Sequence, residues 1–146
     1  MEIRTFEIKD LEQVTYLLND YRIFYNKDSD IESCKKFLQE RYNNKESQIF
    51  VAEQSNKIIG FVQIYPVFST VNLQKAYILN DLYVSEAGRG SGAGTQLIEK
   101  TFEYAKENDA KYVTLETGVD NTTAQKLYKK MGMSIDDSVY HFSKSF

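Results

Sequence analysis

The sequence is short of several residues whose scarcity narrows what the chain can be. It has no tryptophan, one proline, one cysteine and one histidine among 146 residues. A single cysteine, Cys34, cannot close an intrachain disulfide, so a reducing cytoplasm is the simplest compartment. No window resembles a signal peptide or holds about 18 consecutive apolar residues, so a cytoplasmic protein without a membrane partner is expected. A basic surplus is missing too. The 18 Lys and Arg stand against 21 Asp and Glu, a net charge of −3, which argues against nucleic acid as a partner and is compatible with a cationic substrate.

What is present is core material. Hydrophobic residues make up 42% of the chain, and Tyr and Phe supply all of its aromatic rings. The length suits one domain over residues 1–146, burying about two thirds of its unfolded surface. Met1 to Phe6 alternates like a strand. An acid-capped helix follows from Asp10, with Gln13 three residues on as a box partner and Leu11, Val14, Leu17, Leu18, Tyr21, Phe24 and Tyr25 on one stripe. Ser29 to Glu32 reads as a capping box for a second helix carrying Ile31, Cys34, Leu38 and Tyr42 inward. Gln48 to Glu53 and Lys57 to Tyr65 read as a hairpin turning at Gln54-Ser55-Asn56, and Pro66 is expected to stop or edge the second strand. Val67 to Gln74 reads as a connection and Ala76 to Val84 as the next strand. A helix from about Thr95 then turns Leu97, Ile98, Phe102 and Ala105 inward. After it come a strand at Tyr112 to Thr117, a helix from about Thr122 with a Thr122-x-x-Gln125 box, and a stop at Gly132. Tyr140, Phe142 and Phe146 share one parity and read as one or two closing strands. Periodicity alone supports α+β or α/β, one sheet layer with helices.

The chemistry is concentrated in Arg89-Gly90-Ser91-Gly92-Ala93-Gly94, between the strand ending Leu82-Tyr83-Val84 and the helix that follows. A glycine-dense turn at the positive end of a helix lets several N–H groups converge on one anion, usually a polyphosphate. The loop lacks the Gly-Lys-Ser/Thr of a Walker A loop, since Thr95-Gln96-Leu97 follows, so ATP hydrolysis is disfavoured. Its glycine spacing and its place past the middle of the chain also fit a dinucleotide fingerprint poorly.

About 27 residues beyond the loop stands Asn121-Thr122-Thr123-Ala124-Gln125-Lys126-Leu127-Tyr128-Lys129-Lys130-Met131-Gly132. The ordered pair, Arg89-x-x-Gly92-x-Gly94 and then Asn-x-x-Ala-x-x-Leu-Tyr-x-x-x-Gly, resembles the two signature motifs of the GNAT superfamily of acetyl-CoA-dependent N-acetyltransferases. The chain departs from many relatives at Ser85, where proline is common, at Ala93, where a branched aliphatic is common, and at Met133 after the glycine. The resemblance implies a single GNAT-like α/β fold: a central mixed, mostly antiparallel sheet flanked by helices, with the fourth and fifth strands splayed around the pantetheine arm.

It also implies roles. The main chain of Arg89, Gly90, Ser91, Gly92, Ala93, Gly94 and Thr95 would hold the CoA pyrophosphate, and that of Leu82, Tyr83 and Val84 the pantetheine amides. Asn121 matches a residue that contacts the cofactor arm, or is an ordinary helix cap. Tyr128 matches the tyrosine beside the sulfur, although Ala124, Leu127, Tyr128 and Met131 also form a core-like stripe. Phenol, with a pKa near 10, is about 1.5 units above a thiol, so Tyr128 is expected first as a hydrogen-bond donor to the leaving sulfur and second as a full general acid.

An alkylammonium near pKa 10.4 is only about one part in 10³ to 10⁴ neutral at pH 7, so the acceptor needs a base, a water chain or desolvation. Asp81 has the best position for a base; Glu116, Asp28 and Asp30 are further candidates, and His141 reads as a half-exposed strand residue. No metal is expected. The acceptor expected is a primary amine of a small molecule, with a loose resemblance to diamine and polyamine acetyltransferases; the acids of Asp28 to Glu32 and the rings of Tyr21, Phe24, Tyr25, Tyr65 and Phe68 could bind its cation. A protein lysine or N-terminal acetyltransferase and a non-catalytic acyl-CoA sensor are the alternatives. A homodimer is compatible with all three.

Overall fold

The structure, a computed structural model, describes residues 1–146 and divides into two compact units, Met1–Glu116 and Thr117–Phe146. The first unit contains β1 (Glu2–Thr5), α1 (Leu11–Phe24), α2 (Ile31–Asn43), β2 (Gln48–Gln54), β3 (Lys57–Ser69), β4 (Gln74–Val84), α3 (Ala93–Glu107) and β5 (Val113–Thr114). Its sheet runs β1-β2-β3-β4-β5, antiparallel throughout except for the parallel β4–β5 pair.

Alternation along the strands gives the sheet two apolar faces. Ile49, Val51, Ile58 and Phe61 pack with Phe6, Leu11, Val14, Leu17 and Leu18, and with Cys34 and Leu38 of α2. Residues of the opposite parity, Phe50, Ala52, Val62 and Ile64, are buried along with Leu97, Ile98, Thr101 and Ala105 of α3, and the Phe50 and Tyr104 rings meet edge to face.

 The ring centroids are 5.4 Å apart, and Tyr104 also leans on Tyr77 at 5.5 Å. Each fully buried Leu, Ile or Phe contributes about 1.5 to 3 kcal/mol, so these two faces hold the unit together.

The local signals were reassigned in several places. Asp10 precedes α1 but does not cap it. Its carboxylate accepts N–H of Glu7 at 2.8 Å and takes Arg4 as a bidentate partner at 2.8 and 2.9 Å. Gln13, the expected box partner, accepts the Ile58 N–H at 2.9 Å instead. The α1 stripe is buried only as far as Leu18, with Tyr21 partly covered; Phe24 and Tyr25 are exposed, because the helix ends there and Asn26 turns away with φ 60°. The cap of α2 is Asp30 rather than Ser29, accepting the Ser33 N–H at 3.1 Å.

The hairpin turn at Ser55 and Asn56 forms as expected, both residues taking positive φ. Pro66, however, does not end β3, which continues to Ser69 and makes a hairpin with β4 through Thr70 to Leu73. β2 pairs with β3 only as far as Ile64, so beyond that point β3 has one neighbour, β4, and the missing proline N–H falls on the vacant side.

The second unit contains α4 (Thr122–Lys130). Asn121 caps it, accepting the Ala124 N–H at 3.3 Å, whereas Gln125 reaches the carbonyls of Gly118 and Val119 rather than closing a box with Thr122. At the other end Gly132 (φ 89°) gives N–H to Lys129 O and Met133 gives N–H to Tyr128 O, each at 3.0 Å, a Schellman stop. The expected closing strands are not formed. Tyr140, Phe142 and Phe146 are exposed, since a strand needs a ladder partner and this unit holds no other strand.

Candidate active site

Three features of the first unit converge on the second half of β4. The first is its outer edge. β5 pairs with β4 only at Tyr77–Val113 and Ile78–Thr114, so the strands part beyond that point and Leu82, Tyr83 and Val84 have a strand neighbour on the β3 side alone. Such an edge presents main-chain N–H and C=O groups that an extended amide chain can pair with.

The second is a bulge. Gln63 pairs with Asp81 and Ile64 with Leu79, so Asn80 is the extra residue that kinks the strand where it leaves β5. The third is the glycine loop after Val84. Ser85 opens a short turn, its side chain accepting the Gly88 N–H at 3.2 Å, and Ser91 Oγ donates to Gly88 O at 2.5 Å while accepting the Ala93 N–H at 3.3 Å. Gly90 and Gly92 take φ of 80° and 85°. A Cβ on Gly90 would meet nothing within 4 Å, and one on Gly92 only Gln96 Nε2 at 3.8 Å, so both glycines border open space rather than protein. Gly92 leads into α3, which begins at Ala93, two residues before the expected start.

The loop is narrower as a donor set than the sequence suggests. The N–H groups of Arg89 and Ser91 turn back to Glu86 O and Gly88 O, each at 3.3 Å. Helix geometry leaves those of Gly94 and Thr95, in the first turn of α3, without an intrahelical acceptor. Together with the positive helix end and the open space at Gly90 and Gly92, the loop fits a pyrophosphate. Arg89 is exposed beside it.

Asp81 is buried at the bulge. Gln63 Nε2 donates to Asp81 Oδ2 at 2.9 Å, and Ser47 Oγ donates to Gln63 Oε1 at 2.8 Å. Burial pushes the Asp81 carboxyl above its ordinary value, and hydrogen bonds from Gln63 and Asn80 oppose that rise. The Tyr65 phenol, also on β3, is pushed up to about 12, by burial first and by the Asp81 charge second.

The other candidates are placed differently. Asp30 is spent on the α2 cap, which holds its carboxyl below the usual range. Asp28 and Glu116 are exposed, and burial raises the Cys34 thiol, so it remains a core residue. Tyr21, Tyr25 and Phe24 contact one another in series at 5.0 and 5.2 Å, and Tyr21 reaches Tyr83 at 5.7 Å; Phe68 sits on the distal part of β3 and is exposed. In the second unit Asn121 is the α4 cap, Tyr128 is half-buried on the expected stripe, and His141 is exposed. A cleft of about 470 Å³ lined by Tyr42, Lys45, Pro66, Phe68, Lys75 and Tyr104, among others, touches the first half of β4 and includes neither Asp81 nor the glycine loop. Sequence reasoning missed Gln63 and Ser47. The signal was an amide inside the otherwise apolar run Ile58 to Ile64.

The profile of the Acetyltransferase (GNAT) family matches residues 11–133. The chain belongs to this family. It is 40% identical over 142 residues to the uncharacterized N-acetyltransferase YhfO of Bacillus subtilis strain 168, covering 97% of this chain and 95% of that one. A provisionally named ribosomal-protein alanine N-acetyltransferase of the same organism is 29% identical over 132 residues, covering 90% of this chain and 79% of that one. A solved probable acetyltransferase superimposes with a TM-score of 0.94 at 34% identity, over 100% of this chain and 98% of the other. The protein is therefore an acetyltransferase with the GNAT fold, and the family implies acetyl-CoA as co-substrate.

Proposed function

We propose that the protein moves acetyl from acetyl-CoA to the primary amine of a small molecule, by direct attack and without a covalent enzyme intermediate. The observation that carries this reading is the open outer edge of β4, with a buried carboxylate at its bulge and an anion cradle at its end. Acetyl-CoA supplies an electrophilic thioester. The N–H groups around Gly90, Gly92, Gly94 and Thr95 bind the pyrophosphate, and the main chain of Leu82, Tyr83 and Val84 orients the pantetheine amides. Asp81 accepts the proton that the amine must lose as its nitrogen bonds to the acetyl carbon. Its raised pKa brings it closer to neutral pH, which makes it a stronger base than an exposed carboxylate. As the C–S bond breaks, Tyr128 donates a hydrogen bond to the departing thiolate, the role its motif position carries. Arg89 adds charge near the phosphates, and Asn121 holds the start of α4.

A second reading, transfer to a protein N-terminus, is favoured by the ribosomal-protein alanine N-acetyltransferase among the relatives. One experiment separates the readings: CoA release followed with a panel of polyamines, amino acids, aminoglycosides and peptides. Turnover of a small amine supports the first, and turnover of peptides alone supports the second. Acetyl-CoA binding without turnover of any of them leaves an acyl-CoA sensor.

Binding is tested separately. Acetyl-CoA at a hundred times Kd should stabilise the fold by about 2.7 kcal/mol, with ATP and NAD far less effective. Gly92→Val should abolish that shift, because its Cβ enters the open space and its branched side chain disfavours a φ of 85°. Unchanged affinity in a folded Gly92→Val protein would refute the cradle. Tyr128→Phe should keep acetyl-CoA affinity within a few fold and lower kcat by about 10².

A further inference from the structure

The hydrogen-bonded line from Ser47 through Gln63 to Asp81 is built into the core. Gln63 is 0% exposed, on the central strand of the sheet, directly opposite Asp81 in the β3–β4 register. Burying a primary amide between apolar neighbours is costly unless each end is paired, and both ends of this one are. An ionised carboxylate cannot donate, so Asp81 requires the NH₂ end of the amide. That leaves the carbonyl end for a donor, which the Ser47 hydroxyl supplies. The serine thus fixes which way the amide points, and the amide favours the charged, proton-accepting form of Asp81.

We propose that Gln63 is a positioning residue for acetyl transfer, holding Asp81 in place and in its basic form, with Ser47 setting the orientation of the amide. This rests on the reading of Asp81 as the base. The ionisable groups nearest it include Tyr65 on β3, two residues along from Gln63, and Tyr83 on β4, against which Tyr21 of α1 packs at 5.7 Å; Asp81, Arg41 of α2 and Glu46 in the turn before β2 all act on the Tyr65 phenol. Asn80, the bulged residue, adds a second neutral hydrogen-bond partner. No cation is hydrogen-bonded to Asp81, so its ionisation depends on these amides.

The test is the carboxyl titration of Asp81, followed by ¹³C NMR in full-length protein without substrate, beside the pH profile of kcat/KM for spermidine or the best acceptor of the amine panel. Gln63→Leu keeps the volume and removes the donor. It should move both the Asp81 midpoint and the acidic limb of the profile upward by about one pH unit, with the rate at high pH recovering to within a few fold. Gln63→Glu puts a second carboxyl opposite the first and should move them further in the same direction. Ser47→Ala should shift them less, and it carries the test if the core variants fail to fold. A uniform loss of rate at every pH with both midpoint and limb unmoved would overturn the proposal and leave Gln63 as packing. A midpoint that moves while the limb stays would instead remove Asp81 as the base, and the positioning role with it.

Discussion

Asp10 and Asp81 are both buried, at 2% and 8% exposure, and the fold treats them in opposite ways. Asp10 meets a guanidinium. Burial works against its charge, but the Arg4 hydrogen bonds and the Glu7 N–H together hold its carboxyl below the ordinary value. Asp81 meets only neutral amides, and there burial wins. The first arrangement ties β1 to the start of α1 and serves the fold. The second leaves a carboxylate short of compensation at the opened edge of β4, where a base is useful. If Asp81 is the base, what separates a structural acid from a chemical one here is the partner, since the residue type is the same and both side chains are nearly inaccessible.

The comparison can be broken most forcefully at Asp10. Asp10→Ala leaves the Arg4 guanidinium with Glu53 as its remaining carboxylate and should cost about 3 kcal/mol of stability. For a chain of this size that lowers Tm by roughly 6 to 12 °C, readable by calorimetry, while the folded fraction keeps its specific activity.

Acid should reveal the same contrast at a smaller scale. The Asp10 pKa is depressed in the folded state, so its contribution is present above the unfolded value of 3.8 and is lost as pH falls through the folded pKa. Asp81 has the opposite sign: its favourable contribution is present below 3.8 and is lost as pH rises through the folded pKa. Denaturant melts from pH 2 to 7 should therefore show wild type losing stability at the acid end and Asp10→Ala losing less. Smallest of all, Asp81→Asn should equal or slightly exceed wild type in Tm at pH 7, because a neutral side chain replaces a poorly compensated charge.

Much of this was legible in the sequence. The order of elements as far as α4 and the placing of the glycine turn before α3 follow from periodicity and glycine placement, and acetyl-CoA is what the resemblance of two motifs to the GNAT superfamily implies. What misled were residues whose local chemistry was claimed by distant partners. Asp10 and Gln13 looked like a helix cap, yet Arg4 and Ile58 took them. Pro66 left open a strand end or a strand edge, and only the register shows that it is the edge, since β2 has already stopped on its N–H side. The closing strands were read from alternation alone, and alternation does not supply a ladder partner. Asp81 was singled out from its place near the end of β4, whereas Gln63, which pairs with it, could be recognised only once the register was known.

The measurement that bears most directly on Asp81 as the base is kcat/KM for acetyl transfer, taken beside acetyl-CoA affinity, in Asp81→Asn and wild type at pH 7. Acetyl-CoA affinity within a few fold of wild type and a loss of 10² to 10⁴ in kcat/KM are expected, the range of a general base removed from a folded site. Wild-type kcat/KM in Asp81→Asn, with chemistry rate-limiting, would contradict the assignment and return Asp81 to the role of a buried hydrogen-bond acceptor.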